Sequence, residues 1–213
     1  MASTVREQAP QLSETLRNYL ALAKLRIVLL LVFTTVTAMF IAADGAPRAD
    51  VMILTTFGGA LAAAGASAIN QFWDRDMDAK MSRTSRRPIP SGRVSPTNAL
   101  IFGIALIAWA TFILSIVNWL TALLALGGAF YYVVIYTILL KRNTVVNILI
   151  GGGAGAMPVL VGWAAVTGTI GFEALILFAI VFYWTPPHAS GAGAPRPHRL
   201  RPRRCPDDAG GAW

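Results

Sequence analysis

Apolar and polar positions separate along this chain into long segments. Five runs contain no Asp, Glu, Lys or Arg, at 27–43, 51–73, 94–140, 143–172 and 174–195. A helix needs about 20 apolar residues to cross a bilayer core, so the run 94–140 holds two helices, with a turn near Asn118 and Trp119. The pattern predicts an all-α, polytopic transmembrane helix bundle. We expect about six spans, at 26–43, 51–72, 97–117, 120–140, 145–165 and 172–187.

The composition agrees with a membrane protein. Of the 213 residues, 55% are hydrophobic and 13% are charged, whereas a soluble domain carries about 25% charged residues. The first span is followed by small residues that resemble a signal-peptide cleavage site. Its apolar run is longer than a signal-peptide core and follows a polar arm, so we expect this span to be retained.

The net charge of +8 follows the topology. Basic residues occupy alternate loops: Arg6, Arg17, Lys24 and Arg26; Arg75 to Arg93; Lys141 and Arg142; and the arginines after residue 195. The intervening loops hold only Arg48. Because Lys and Arg stay on the cytoplasmic side, we expect an inner-membrane protein with its N-terminus and basic loops in the cytoplasm. The basic excess therefore implies no nucleic-acid partner.

Three segments differ in character. Residues 1–22 read as a cytoplasmic N-terminal arm, interfacial or loosely ordered, and residues 23–188 as one membrane domain without a linker. Residues 189–213 lose all periodicity and are rich in Arg, Pro and Gly. Two interpretations stand for this tail. It is a disordered basic segment, or it results from a reading-frame slip, which we favour.

The fifth predicted span is crowded with small residues, GGGAGAMP at 151–158. Small residues let membrane helices approach closely, which is one interpretation. The other is that Pro158 bends this helix and shapes the wall of a cavity.

The acidic residues of the second span follow helical spacing. Asn70, Asp74 and Asp78 recur every four residues, and each such step rotates a side chain by only about 40° around an α-helix. The three therefore share one face, whereas Asp76 points largely away. Two carboxylates and an amide suit a hard divalent cation, and Mg²⁺ binds through one or two carboxylates together with substrate phosphates. We predict that Asn70, Asp74 and Asp78 are metal ligands and catalytic residues.

Basic residues follow this face at once. Arg83, Arg86 and Arg87 precede Pro88 and Pro90, which end any helix and leave 83–93 as a loop able to fold over the aspartates. Guanidinium groups match phosphate oxygens. Lys141 and Arg142, after the fourth span, lie on the same side. These five residues are the candidate diphosphate-binding residues, although the arginines alone also satisfy the positive-inside rule.

Such a site supports one chemistry in particular. Mg²⁺ and cationic side chains stabilise the charge that develops on a departing diphosphate. An apolar cavity between helices would hold a prenyl tail away from water. The residues thus favour ionisation of an allylic diphosphate, followed by attack of an acceptor on the allylic carbon.

At these motifs the sequence resembles the UbiA-type intramembrane prenyltransferases, and within them the branch that farnesylates protoheme. The resemblance spans about Leu20 to His188 and is carried by NQFWDRDMDAKMSRTSRRPIPSGRVSP, by YTILLKRNTVVNILIGGGAGAMPVLVGWAAVTG and by FYWTPPH. It implies a nine-helix bundle that transfers farnesyl from farnesyl diphosphate to a vinyl group of protoheme (heme B), giving heme O for the heme A pathway of terminal oxidases. Mg²⁺ is the implied cofactor. Arg83, Thr84 and Arg87 fall in the motif that adjoins the first Asp-rich motif.

The sequence departs from that family in two ways. Gln71 stands where many members have a further Asp. After His188 the family continues into a second acidic motif and three more helices, which these 213 residues lack. We therefore expect a truncated or frameshifted member that is inactive as written.

Three other interpretations remain open. The acceptor is another aromatic compound such as 4-hydroxybenzoate, the protein is a membrane transporter, or the chain is an inert fragment. Against transport, the acids lie at a helix end, and no acid lies deep within a span.

Overall fold

A computed structural model describes residues 12–141 and 147–192 of the chain, with side chains at 12–141 and 151–184. Every regular element in this part of the chain is a helix. The α-helices are α1 (Leu12–Ala23), α2 (Leu25–Ala42), α3 (Ala49–Lys80), α4 (Pro96–Val117), α5 (Trp119–Phe130), α6 (Asn147–Thr167) and α7 (Phe172–Ala192). A π-helix, Tyr131–Leu140, continues α5 without interruption.

The helices confirm the predicted all-α bundle. Among the described residues, four helical segments are long and apolar enough to cross a membrane: Leu25–Ala42, Ala49–Lys80, Pro96–Val117 and Trp119–Leu140, the last comprising α5 and the π-helix. Helices α6 and α7 match the predicted spans at 145–165 and 172–187. The chain is therefore a multi-pass membrane protein. Helix α7 continues to Ala192, beyond the point at which we expected the tail to begin.

The turn between the third and fourth spans lies where the sequence placed it. Asn118 is extended, with φ −167° and ψ 160°, and separates α4 from α5. Its side chain accepts hydrogen bonds from the backbone N–H and the hydroxyl of Thr121, at 2.8 and 2.9 Å. Its amide also donates to the carbonyl of Ala164 at 2.9 Å. Asn118 therefore caps α5 and ties this end of the bundle to α6.

Large apolar side chains cover the outside of the bundle. Examples on three helices are Phe33, Trp109 and Phe130, each at least 58% exposed. In water such a surface would be a large apolar patch. In contact with apolar lipid tails this surface carries no free-energy penalty. The packing between helices depends on small residues instead.

Glycines allow the closest helix contacts. A Cβ at Gly65 would lie 2.7 Å from the carbonyl oxygen of Gly103, so α3 and α4 pack backbone to backbone at this point. A Cβ at Gly162 in α6 would collide with the carbonyl oxygen of Thr35 in α2. These contacts hold α3 against α4 and α6 against α2.

The arm before the first span contains an ordered element. Helix α1 lies within the segment that we described as an arm, and its Tyr19 ring packs edge-on against Phe102 of α4, with the centroids 4.9 Å apart. Leu22 is fully buried and belongs to a cluster with Ala68, Ile89 and other apolar residues. Helix α1 is thus packed onto the same end of the bundle as the loop after α3.

Candidate active site

The predicted face of α3 is present and buried. Asn70, Asp74 and Asp78 all lie on this helix with at most 4% of each residue exposed. The Asp76 side chain is 74% exposed and pairs with Arg75 instead. Helical spacing therefore identified which acids face the interior, and it correctly placed Asp76 outside this buried face.

The side-chain amide of Asn70 links Asp74 to the π-helix. Nδ2 of Asn70 donates to Oδ2 of Asp74 at 2.9 Å and to the hydroxyl of Thr137 at 3.1 Å. The Thr137 hydroxyl in turn donates to the carbonyl of Tyr132 at 2.8 Å. Thr137 lies in the π-helix, 67 positions along the chain from Asn70, and no sequence pattern indicates that it belongs to the site.

Lys141 reaches the acids from the end of the π-helix. Its Nζ pairs with Oδ2 of Asp74, so this predicted site residue lies on the acidic face. Arg142, the other predicted residue at this position, lies outside the described residues. The second carboxylate oxygen of Asp74, Oδ1, is buried and has no hydrogen-bond partner.

The loop after α3 folds back over the acids, as its position and its prolines led us to expect. Arg87 donates from Nη1 to Oδ2 of Asp78 at 2.6 Å. The buried Thr84 donates from Oγ1 to the carbonyl of Asp78 at 3.0 Å. The loop itself is anchored by Arg93, which donates to Asn18 Oδ1 and to the carbonyl of Arg86.

The three predicted arginines do not occupy equivalent places. Arg87 contacts the acidic face, whereas Arg83 and Arg86 are exposed at the outer surface of the loop. Their role in diphosphate binding stays a prediction. Arg75, which we had counted only as a topology signal, lies over the Phe72 ring at 4.7 Å and takes no part in the site.

Lys24 is a site residue that sequence reasoning missed. Its Nζ donates to Oδ1 of Asn70 at 2.9 Å. Burial, followed by the nearby positive charges of Arg87 and Lys141, lowers the pKa of Lys24 to about 8. The sequence placed Lys24 only among the residues that orient the protein, since it lies 46 positions from Asn70.

A cavity of about 390 Å³ opens beside this cluster. Lys24, Ser67 and Tyr136 lie at the end nearest the acids, and Thr35 and Gly59 lie farther along the same helices. Along α2 the lining extends from Lys24 to Thr35, which is about 16 Å of helix. Most of the other lining residues are apolar or small: Ala23, Ile27, Val28, Leu31, Val32, Ala62, Ala63, Ala66, Leu124, Ala125, Gly128, Ala129, Gly151, Gly152, Ala154, Gly155, Met157, Pro158 and Val161.

The small residues of α6 serve packing at one position and line the cavity at another, and the bend at Pro158 stays a prediction. A Cβ at Gly153 would lie 3.0 Å from the Tyr131 hydroxyl, so this glycine serves packing against the π-helix. Gly155 has open space where a Cβ would stand, and it lines the cavity together with Pro158. Helix α6 therefore both packs on its neighbours and forms a cavity wall.

The donor set fits a magnesium ion that shares its ligands with a substrate. Asp74 offers a buried carboxylate oxygen without a partner, and Asn70 and Asp78 add two oxygens on the same face. In the described part of the chain, His, Cys, Asp and Glu form no group of three or more able to hold a metal. A cation at this face would therefore need further ligands, and Mg²⁺ takes such ligands from water and from substrate phosphates.

Together these features define a class of protein: a helical membrane bundle in which an acidic face and basic side chains lie beside an apolar cavity that Lys24 lines. Comparison with known families matches residues 31–191 to the UbiA prenyltransferase family. The chain belongs to this family.

Individual relatives are considerably longer than the chain. The chain is 54% identical over 187 residues to a protoheme IX farnesyltransferase of Roseiflexus castenholzii, covering 87% of the chain and 34% of the relative. It is 52% identical over 178 residues to the same enzyme of Symbiobacterium thermophilum, covering 84% and 60%. For the enzyme of Streptomyces coelicolor the values are 50% over 173 residues, covering 81% and 55%. The chain thus spans between a third and three fifths of the length of these relatives.

Solved structures agree in fold at low identity. A digeranylgeranylglyceryl phosphate synthase superposes with a TM-score of 0.71 at 21% identity, covering 79% of this chain and 59% of that one. A UbiA homologue from Archaeoglobus fulgidus, bound to DMAPP and Mg²⁺, gives a TM-score of 0.71 at 18% identity, with coverages of 81% and 62%. These likenesses confirm the helical architecture.

Proposed function

We propose that this chain carries the farnesyl diphosphate-binding half of a heme O synthase. In that reaction a farnesyl group passes from farnesyl diphosphate to a vinyl group of protoheme. One observation carries the proposal: a cluster of acids and bases lies beside an apolar cavity, and Lys24 of that cluster lines it. The relatives at about 50% identity, all of them protoheme IX farnesyltransferases, support the choice of substrates.

The cavity suits the prenyl tail of the substrate. Its lining offers few polar groups, so an isoprenoid chain buried there would leave no polar atom without a partner. With the tail in the cavity, the diphosphate lies among Asp74, Asp78 and the basic side chains at the open end. The allylic C–O bond is then placed at the boundary between the two environments.

Asn70, Asp74 and Asp78 would hold Mg²⁺. When bound, this ion supplies Lewis-acid stabilisation of the negative charge on the diphosphate. The unpartnered Oδ1 of Asp74 is the ligand atom most ready to serve, because a buried carboxylate oxygen without a partner is costly.

The basic side chains orient and stabilise the leaving group. Lys141 and Arg87 already contact the two carboxylates and would exchange part of that contact for diphosphate oxygens. Arg83 and Arg86 lie on the surface of the same loop, and Arg142 is assigned here from the sequence. Breaking the allylic C–O bond leaves its electron pair on the diphosphate. A vinyl carbon of protoheme then forms the new C–C bond, water adds to the neighbouring carbon, and a proton is released.

The positive-inside rule places the site in the cytoplasm. Arg87 lies in the loop after α3, Lys24 precedes α2 and Lys141 follows the π-helix. All three lie at the same end of the bundle. The proposal therefore puts the N-terminus and the active-site loops on the cytoplasmic face of the inner membrane.

The test is product formation by the purified chain in lipid vesicles, with farnesyl diphosphate, Mg²⁺ and a choice of acceptor. Protoheme converted to a species with the mass of heme O supports the proposal, whereas farnesylated 4-hydroxybenzoate would reassign the acceptor. Binding of farnesyl diphosphate without any product limits the chain to substrate binding. Ion flux through the vesicles that persists in Asp74→Ala would favour a transporter instead.

A further inference from the structure

Helix α1 presents a stripe of leucines on the outside of the bundle. Leu12, Leu16 and Leu20 recur every four residues and are 86%, 59% and 44% exposed. Each such step turns a side chain by only about 40° around the helix, so the three leucines share one side of α1. Water is an unfavourable surrounding for such a stripe, which therefore indicates an apolar or interfacial one.

The opposite side of α1 is fixed to the protein. The buried Asn18 accepts a hydrogen bond from Nη1 of Arg93 at 3.0 Å. The carbonyl oxygen of Leu22 accepts from Oγ of Ser67 at 2.9 Å and from Nε2 of Gln71 at 2.8 Å. These contacts set the orientation of α1 without involving the leucine stripe, which stays available on the outside.

A groove of about 500 Å³ lies where α1 meets α2. The two helices are separated by Lys24, whose backbone is left-handed, with φ 50° and ψ 57°. The groove has an apolar lining that includes Leu20, Leu25 and Ile27, and a basic lining of Arg17, Lys24 and Arg26. No acidic residue lines it. The groove thus offers apolar and basic side chains side by side.

The apolar lining continues into the lipid-facing surface of the first span. Leu25 and Ile27 are 48% and 53% exposed, and Leu29 and Leu30 beyond them are 66% and 63% exposed. All four belong to α2, a helix apolar enough to cross a membrane. Leu20 of the leucine stripe lines the same groove. A basic amphipathic helix in this position lies along the membrane interface.

Two cations of the groove have no anionic partner within the protein. Arg17 and Arg26 are both exposed, and the ion pairs in the described part of the chain involve Arg48, Arg75, Arg87 and Lys141 instead. Lys24 differs from them, because it donates to Asn70. Guanidinium groups match phosphate oxygens, and basic residues beside a membrane span attract anionic headgroups.

We propose that an anionic phospholipid binds this groove, with its phosphate at Arg17 and Arg26 and an acyl chain along Leu20, Leu25 and Ile27. The proposal goes beyond prenyl transfer and does not depend on it. It gives α1 a role of its own: the helix is fixed to the bundle on one side and to the membrane surface on the other.

The experiment measures lipid binding to the purified 213-residue chain by native mass spectrometry, with phosphatidylglycerol or phosphatidylcholine of identical acyl chains. We expect the unaltered chain to bind the first phosphatidylglycerol at least tenfold more tightly. The double variant Arg17→Met and Arg26→Met keeps apolar stems and removes both charges, so it should reduce this preference to within twofold. Lys80→Met is the control, because Lys80 is an exposed cation outside the groove; it should retain the preference.

Two further variants test the two parts of the groove separately. The double variant Arg17→Lys and Arg26→Lys keeps both charges and should keep most of the preference for phosphatidylglycerol. Leu20→Gln should weaken the binding of both lipids by a similar factor, because it changes the acyl-chain contact and leaves the headgroup contact in place.

The lipid site is overturned by equal binding of the two lipids to the unaltered chain, or by a full preference in the double methionine variant. Displacement of phosphatidylglycerol by inorganic phosphate would assign the arginines to a free anion. A dimer that Leu20→Gln disrupts would assign the leucine stripe to a second copy of the chain. Either result also overturns the proposal. Should the double methionine variant not fold, Arg17→Gln with Arg26→Gln provides the same comparison.

Discussion

The Arg87 guanidinium donates at 2.6 Å to the carboxylate of Asp78, which lies nine positions earlier, and closes the segment between them into a loop over the end of α3. The Asp78 side chain is 5% exposed and that of Arg87 26%. A buried carboxylate thus depends on a residue that also borders the solvent. The loop is therefore held by the same group that is proposed to bind the diphosphate, and substrate binding will compete with loop anchoring.

Removing this guanidinium should affect stability as well as binding. In Arg87→Met the buried Asp78 loses its charged partner, so we expect the free energy of unfolding to fall by about 1–3 kcal/mol. Thermal unfolding in detergent measures the change. Arg86→Met is the control, since Arg86 is exposed on the same loop. An equal decrease in both variants would show that the Asp78 contact contributes nothing specific.

Asp74 should confer the magnesium dependence of substrate binding. In the unaltered chain, we expect Mg²⁺ to strengthen farnesyl diphosphate binding and EDTA to reverse the effect. Asp74→Asn removes an anionic ligand and should abolish most of that difference. Asp76→Asn makes the same chemical change on the exposed side of the helix and should retain it. Magnesium dependence that survives in Asp74→Asn would contradict the assigned metal face.

Two glycines on different helices should respond differently to alanine. In Gly162→Ala the new methyl group meets the backbone carbonyl of Thr35, which cannot move without separating α2 from α6. We expect the free energy of unfolding of Gly162→Ala to fall by about 1–3 kcal/mol. Gly59→Ala meets nothing within 4 Å, and alanine favours helix by up to about 1 kcal/mol. Thermal unfolding should rank Gly162→Ala as less stable and Gly59→Ala as at least as stable as the parent.

Asn118 performs two tasks that separate substitutions can distinguish. Asn118→Ala removes the α5 cap and the donor to Ala164, and the cap alone is worth about 0.5–2 kcal/mol. Asn118→Asp keeps the acceptor for Thr121 but loses the N–H donor. We therefore expect the unfolding temperature of Asn118→Asp to lie between those of the parent and of Asn118→Ala. Equal unfolding temperatures for the two variants would assign the whole effect to the link with α6.

The sequence predicted features that depend on one helix at a time. The charge-free runs gave the spans, and Asn118 gave the turn within the longest run. Spacing of four residues placed Asp74 inward and Asp76 outward. These properties depend only on the geometry of one helix, so the sequence of that helix is sufficient to predict them.

Contacts between distant segments were not predictable in the same way. Lys24 and Thr137 reach Asn70 from 46 and 67 positions away, and no pattern in either segment records that partner. Lys24 looked like one more topology charge, because its left-handed backbone, with φ 50°, and the hydrogen bonds from Ser67 and Gln71 of α3 to the nearby Leu22 carbonyl leave no pattern in its own segment. The uniformly apolar stretch at 131–140 gave no sign of a π-helix.

The π-helix constrains the length of the segment Tyr131–Leu140 as well as its composition. Its hydrogen bonds span five residues, as in the bond from the Lys141 N–H to the carbonyl of Tyr136. Deleting one residue, such as Val133, would allow the segment to rewind as an α-helix and would turn Lys141 by about 100° away from Asp74. Substitutions that keep the segment apolar should be tolerated, whereas single-residue insertions and deletions should not. Among active relatives we therefore expect this stretch to vary in side chains but not in length.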